Sequence, residues 1–250
     1  MHRRLVLLVA VVAAAIVATP GASRSGVIDQ GSFKIYRHDR ALGAEAFEIF
    51  ESNDSLLVRA RQYLTLPTPE GDQPLERAAD LLVSRIDFSL RGYSSTRTFM
   101  GATTKRGLAL ADTHYVAYRE SERGGEGESR VLPAGRLYVM DAQLVTLFDL
   151  ICRSFHSRSL ENRALNLLAL GPRDTLLEAR SIVLPNETIR WGAKPVVARK
   201  LQIVADTQTT FTLWMGAQGQ MLRLTEPAGG LRAERDPPDV KPRSASKPGG

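Results

Sequence analysis

The stretch PVVARKLQIVADTQTTFTLWMGAQGQMLRLTEP, residues 195–227, decides the fold, because nowhere else is the period-two alternation of half-buried strands so legible. Leu201, Ile203 and Ala205 fall on one face of a first strand, Phe211, Leu213 and Met215 on one face of a second, and Leu222 and Leu224 on one face of a third. Residues 206–209 and 217–219 are short, polar and placed where the alternation resets, so they read as turns. The stretch is therefore an antiparallel meander with one oily face. That face needs a cover.

The cover is predicted at residues 141–157. Leu144, Leu147, Phe148, Ile151 and Phe155 recur at three-and-four spacing, Asp141 stands in the N-cap position, and Arg153, His156 and Arg158 crowd the C-terminal end, where cations suit the helix dipole. Strand patterns fill the rest. Residues 31–37 and 44–51 alternate Phe33 and Ile35, then Phe47 and Ile49, about a turn at 38–43. After a turn at 53–54, Leu56, Val58, Ala60, Gln62, Leu64 and Leu66 share a face. Residues 67–74 read as a loop, residues 82–93 as strand, and the alternation continues through 96–103 and 108–120. Residues 124–129 (GGEGES) read as a loop without P-loop spacing, and strands resume at 165–170, 175–184 and 188–191. The prediction is a single all-β domain over residues 24–228. It is a strongly curved antiparallel sheet or half-barrel of about ten strands with one helix on its concave side. Two packed sheets would give the same alternation. From residue 229 the chain fills with Pro, Gly, Ser and charge and reads as a disordered basic tail.

Residues 1–23 have the form of an export signal: His2, Arg3 and Arg4 precede an apolar run at 5–18 too short to span a bilayer, and Gly21 and Ser23 suit cleavage after Ser23. The expected compartment is the bacterial periplasm or exterior, with no stable membrane span once the signal is gone. Cys152 stands alone and forms no internal disulfide, so the fold rests on burial. Loss of Arg3 and Arg4 takes the formal charge from +6 to +4, spread along the chain; this excludes the dense basic stripe of a nucleic-acid binder.

Motifs for chemistry are sparse. No G-x-S-x-G or H-E-x-x-H occurs, and four histidines with one cysteine offer little for a metal site, so no cofactor or metal is predicted. Cys152 and His156, four apart on one helix, are the sole pair arranged as a nucleophile and base; a buried cysteine filler and a C-terminal histidine cap are the stronger explanation. Glu45 and Glu51 lie on one strand face and Glu48 on the other, which reads as an exposed strand.

The opening GSFKIYRHDRALGAEAFEIF with Gly43, the lead of residues 195–199 into Leu213 and Trp214, and Gly219-Gln220-Met221-Leu222 resemble a group of bacterial periplasmic proteins of unknown function. That group is similar to the lipoprotein-carrier (LolA-like) and LppX-like half-barrels, and the resemblance spans residues 31–227. It implies a curved sheet and an envelope address, and assigns no catalytic residues. The expected function is a non-enzymatic binding module holding a lipid or other hydrophobic molecule against Phe148, Phe155, Phe211, Leu213 and Met215. The alternative is a structural or interaction protein of the cell envelope with a closed core and no ligand, its partner then being an envelope protein.

Overall fold

The structure, a computed structural model, describes residues 26–52, 54–122, 124–141, 144–158, 161–171, 174–205 and 209–238. The signal-like segment and the last twelve residues lie outside these. Alternation becomes strand throughout: β1 (Val27–Arg37), β2 (Arg40–Ser52), β3 (Ser55–Thr68), β4 (Gly71–Ser84), β5 (Leu90–Phe99), β6 (Ala102–Leu110), β7 (His114–Ser121) and β8 (Gly124–Val131) follow one another. A short β9 (Leu137–Met140) leads into the helix α1 (Val145–His156). Then come β10 (Arg163–Ala169), β11 (Thr175–Trp191), β12 (Lys194–Val204), β13 (Thr210–Met215), β14 (Met221–Glu226) and β15 (Leu231–Arg235).

The 15 strands of the described residues form one sheet in the order β8-β7-β6-β5-β4-β3-β2-β1-β15-β14-β13-β12-β11-β10-β9. This rules out the two-sheet alternative and corrects the expected ten strands. Neighbours are antiparallel except β9 and β10, which are parallel and joined by α1, the crossover such a pair requires. The first and last strands meet mid-sheet, Phe33 opposite Arg235 and Ile35 opposite Ala233. The free edges are β8 and β9, yet β9 comes to rest against β5. The turn between β10 and β11 reaches β6 and β7 through Asp174. The sheet thus curls past itself, with β6 to β8 overhanging the place where β9 meets β5.

The additional strands come from four places. The expected loop at 67–74 is mostly strand, with a tight turn at 69–70 and Thr68 paired to Gly71. The run at 82–93 is broken by a turn that leaves Ile86 85% exposed and Phe88 at φ 55. Residues 124–129 belong to β8, an edge strand without apolar residues before Val131, so nothing but backbone pairing marks it. Part of the expected tail is β15, where Ala233 faces the core and ladder bonds on both sides supply the rest.

The concave face carries the core. Phe33, Ile35, Phe47, Ile49, Val58, Leu81, Leu201, Ile203, Phe211, Leu213, Met215 and Leu224 all belong to it, as their alternation requires. Leu222 does not. A register shift between Trp214 and Met215 turns Met221 inward and sends Leu222 to a small convex-side cluster with Trp214, Ile189 and Ala198. Gly43 sits at a second register shift with φ 152, and a Cβ there would lie 2.0 Å from the Tyr63 carbonyl oxygen. Only glycine lets β2 and β3 approach so closely.

The helix starts later than its apolar spacing suggests. Leu144 is its N-cap residue and supplies no side-chain cap. Asp141 instead accepts the Leu144 N–H on its backbone oxygen and turns its carboxylate to Arg77. Every residue from Val145 to Phe155 is buried, polar ones included. The sheet wraps the helix on all sides, leaving no solvated face.

Candidate functional site

A helix enclosed this way brings its polar groups inside, and each must find a partner. Glu45, predicted to be exposed, is fully buried and points across the curl at the start of α1. Its carboxylate accepts the Val145 N–H at 2.9 Å, the Thr146 N–H at 2.7 Å and the Gln62 side-chain amide at 2.8 Å, together with the Thr146 hydroxyl. It stands in for the missing cap, from a strand a hundred residues away. Burial pushes its carboxyl above the ordinary value, against the pull of Thr146, Val145 and Arg77.

One turn further on, Asp149 accepts the backbone N–H of Met221 at 2.7 Å and the Arg153 Nε–H at 2.7 Å. Arg153 also pairs with Asp29, which holds Arg235 at 2.8 Å. Two aspartates and two arginines therefore tie α1 to β1, β14 and β15. Below them Gly219, at φ 80, lets its turn close onto His156; a Cβ there would lie 2.4 Å from the histidine Cβ.

The five residues predicted to line a lipid site come together between α1 and the meander. Phe148, Phe155, Phe211, Leu213 and Met215 are all buried, and the Phe148 and Phe211 rings pack at 4.9 Å. Tyr138 and Arg163 cover Phe155, the guanidinium 4.2 Å from the ring centre. On the other flank of the helix, Leu137, Val139, Leu147 and Ile151 surround a hollow of about 20 Å³, room for about one water.

Cys152 is buried, and burial raises its thiol well above its ordinary pKa, so it is no thiolate. His156 shares its Nδ1 with Arg199 and is held below 6.5 by burial and by the Arg199 and Arg153 guanidinium groups. Among the described residues no cluster of His, Cys, Asp or Glu forms a set of metal ligands.

The overhang holds what the sequence did not disclose. Arg77 on β4 lies opposite Arg97 on β5, and Arg106 on β6 opposite Arg119 on β7, all on the concave face. Arg77 pairs with Asp141 at 2.8 Å, and Arg106 and Arg119 share Asp174 at 2.9 and 3.5 Å. Beside them Ala117, Arg119, Glu126, Glu128, Arg130 and Asp174 border an open groove of about 290 Å³. Alternation alone could have placed these arginines inward, since Arg77 lies two residues from Leu75 and from Ala79. Only the strand register aligns them.

No family model and no curated protein matches the chain. Among solved structures it is similar to the crystal structure of a β-barrel-like protein of a domain of unknown function, DUF1849, from Brucella abortus. The TM-score is 0.54 and the identity 9%, over 84% of this chain and 97% of that one. At such identity the likeness concerns the fold alone: the chain has the architecture of a β-barrel-like protein of unknown function.

Proposed function

We propose that this chain is an exported, non-enzymatic binding protein of the bacterial envelope, whose interior is closed by its own helix and whose contacts are made at its rim and outer surface. The observation that carries the reading is the burial of Phe148, Phe155, Phe211, Leu213 and Met215 in one core, with the Phe148 and Phe211 rings packed on each other. A lipid between α1 and the meander would have to part those rings and break the Asp149 bond to Met221. The closed-core reading therefore takes precedence over the lipid-filled one. Export is supported by residues 1–23 and by the resemblance of residues 31–50 and 195–227 to a group of bacterial periplasmic proteins of unknown function. No helix among the described residues is long and apolar enough to cross a membrane. The raised pKa and burial of Cys152 speak for filler rather than nucleophile.

Two measurements test this. N-terminal sequencing of the protein taken from its host envelope should begin near Arg24, and a retained Met1 overturns export. The folded protein should take up no phenylnaphthylamine, a neutral apolar dye. Saturable uptake that Phe211→Ala enlarges would instead restore the lipid reading.

A further inference from the structure

Like charges directly opposite one another across a strand pair are destabilising, and the overhang has two such pairs, Arg77 with Arg97 and Arg106 with Arg119. The pairs are neighbours, because Ala79 faces Ser95 and Ser95 faces Arg106. Three of the four arginines are matched to a carboxylate. Arg77 has Asp141, while Arg106 and Arg119 hold Asp174 and the Gly171 carbonyl. Arg97 is not: among the described residues no carboxylate lies within ion-pair reach of it, and its Nε is buried without a hydrogen-bond partner. Its guanidinium rests 5.1 Å over the Phe99 ring, half-buried; burial pulls its pKa down, Arg77 and Arg106 add to that, and the Asp141 carboxylate, out of ion-pair reach, opposes it.

An arginine held partly out of water beside two others, with no carboxylate in contact and Asp141 already paired to Arg77, costs stability unless something negative joins it. Its surroundings say what. Thr104 is its direct cross-strand partner, with its hydroxyl 3.5 Å from the Arg97 carbonyl oxygen, and Ser95 lies two residues back on the same face, so the positions beside the arginine carry hydroxyls. On the other side the next register position is apolar, with Leu75 opposite Phe99. Forked donors arriving from β4, β5 and β6 suit an anion with more than two oxygens, such as a tetrahedral phosphoryl group, better than a flat carboxylate.

We propose that Arg97, flanked by Arg77, Arg106, Ser95 and Thr104, anchors a binding site for a phosphate-bearing ligand on the concave face of the overhang. The site stands on the arginines alone and is independent of whether the core admits a neutral lipid. Free phosphate and the head group of a phospholipid share this chemistry, and the apolar strip at Leu75 and Phe99 is where an acyl chain of the latter would begin.

The test is calorimetric titration of the purified protein at low ionic strength with sodium phosphate, with dihexanoylphosphatidic acid and with sodium acetate. Arg97→Gln and Arg97→Lys are compared with Arg59→Gln, a change on the opposite face of the sheet. Saturable binding of either phosphate compound, weakened tenfold or more by Arg97→Gln, less by Arg97→Lys and not at all by Arg59→Gln, supports the site. Binding of both probes assigns recognition to the phosphoryl group alone, and binding of the lipid analogue only assigns it to a head group with its chain. The proposal is overturned if neither phosphate compound binds, if acetate binds as tightly, or if Arg97→Gln, its fold verified by circular dichroism, binds as the parent does.

Discussion

Glu45 shows how much one side chain decides here. Its carboxylate satisfies the first backbone donors of α1, so Glu45→Ala leaves those N–H groups buried without acceptors and should cost about 3 kcal/mol or more, read from urea denaturation. Nothing in the sequence around Glu45 announces this. Its partners lie 17, 100 and 101 residues away, and alternation says only that it shares a face with Phe47. Cys152 was more legible: an apolar helix position predicts burial, and the structure buries it. Cys152→Ser should keep the fold at a cost of about 1–3 kcal/mol for a hydroxyl buried without a partner, and the parent thiol should react with a chromogenic disulfide only after unfolding. Asp87 makes acid the vulnerable side. Burial opposes its ionisation, but the Ser89 and Ser84 hydroxyls and Arg136 outweigh that and hold its carboxyl well below the ordinary 3.8. With the folded value depressed, its contribution is complete above about pH 4 and lost as pH falls toward the folded value. Urea midpoints measured down a pH series should therefore fall more gently in Asp87→Asn, from a lower start at neutral pH.

Among the elements, the meander of residues 195–227 is the most legible in the sequence: β12 and β13 bury the residues their alternation assigns, and β14 departs only at its bulge. The helix was found, although its start was placed at Asp141 by a local capping rule that long-range partners override. The elements at the extremes were missed for opposite reasons. β8 is an edge, needs one partner and carries polar residues; β15 is central, and its neighbours on both sides compensate for a poor apolar pattern. The two should respond differently to deletion. Ending the chain before Leu231 opens the sheet between β1 and β14 and removes Arg235 from the network around Asp149, so loss of cooperative unfolding is expected. Ending it after Pro238 should leave the melting temperature within a few degrees of the parent. Thermal circular dichroism compares the two.

For the molecule as a whole, the sequence conveyed the class of fold, a curved sheet around one helix, but not how the sheet is ordered. Period-two patterns say which way a side chain faces and nothing about which strand lies beside which. The missing fact is the seam between β1 and β15, sealed by bonds such as Ser32 to Asp236, 204 residues apart in sequence. Because that seam sets the start of β1 beside the end of β15, a circular permutant joining residue 238 to residue 26 through a short linker and opened after Leu132, between the two edge strands, should fold to the same strand content. The same seam also acts as a clock. Of the described strands β1 is made first, and β15, which closes onto it, is made after all the others. Until Arg235 has been made, β1 and β14 are both bare edges and the aspartates around α1 lack one of their arginines. Completion of the native state is thereby tied to β15, because neither the two edges nor the network around Asp149 is satisfied before that strand pairs.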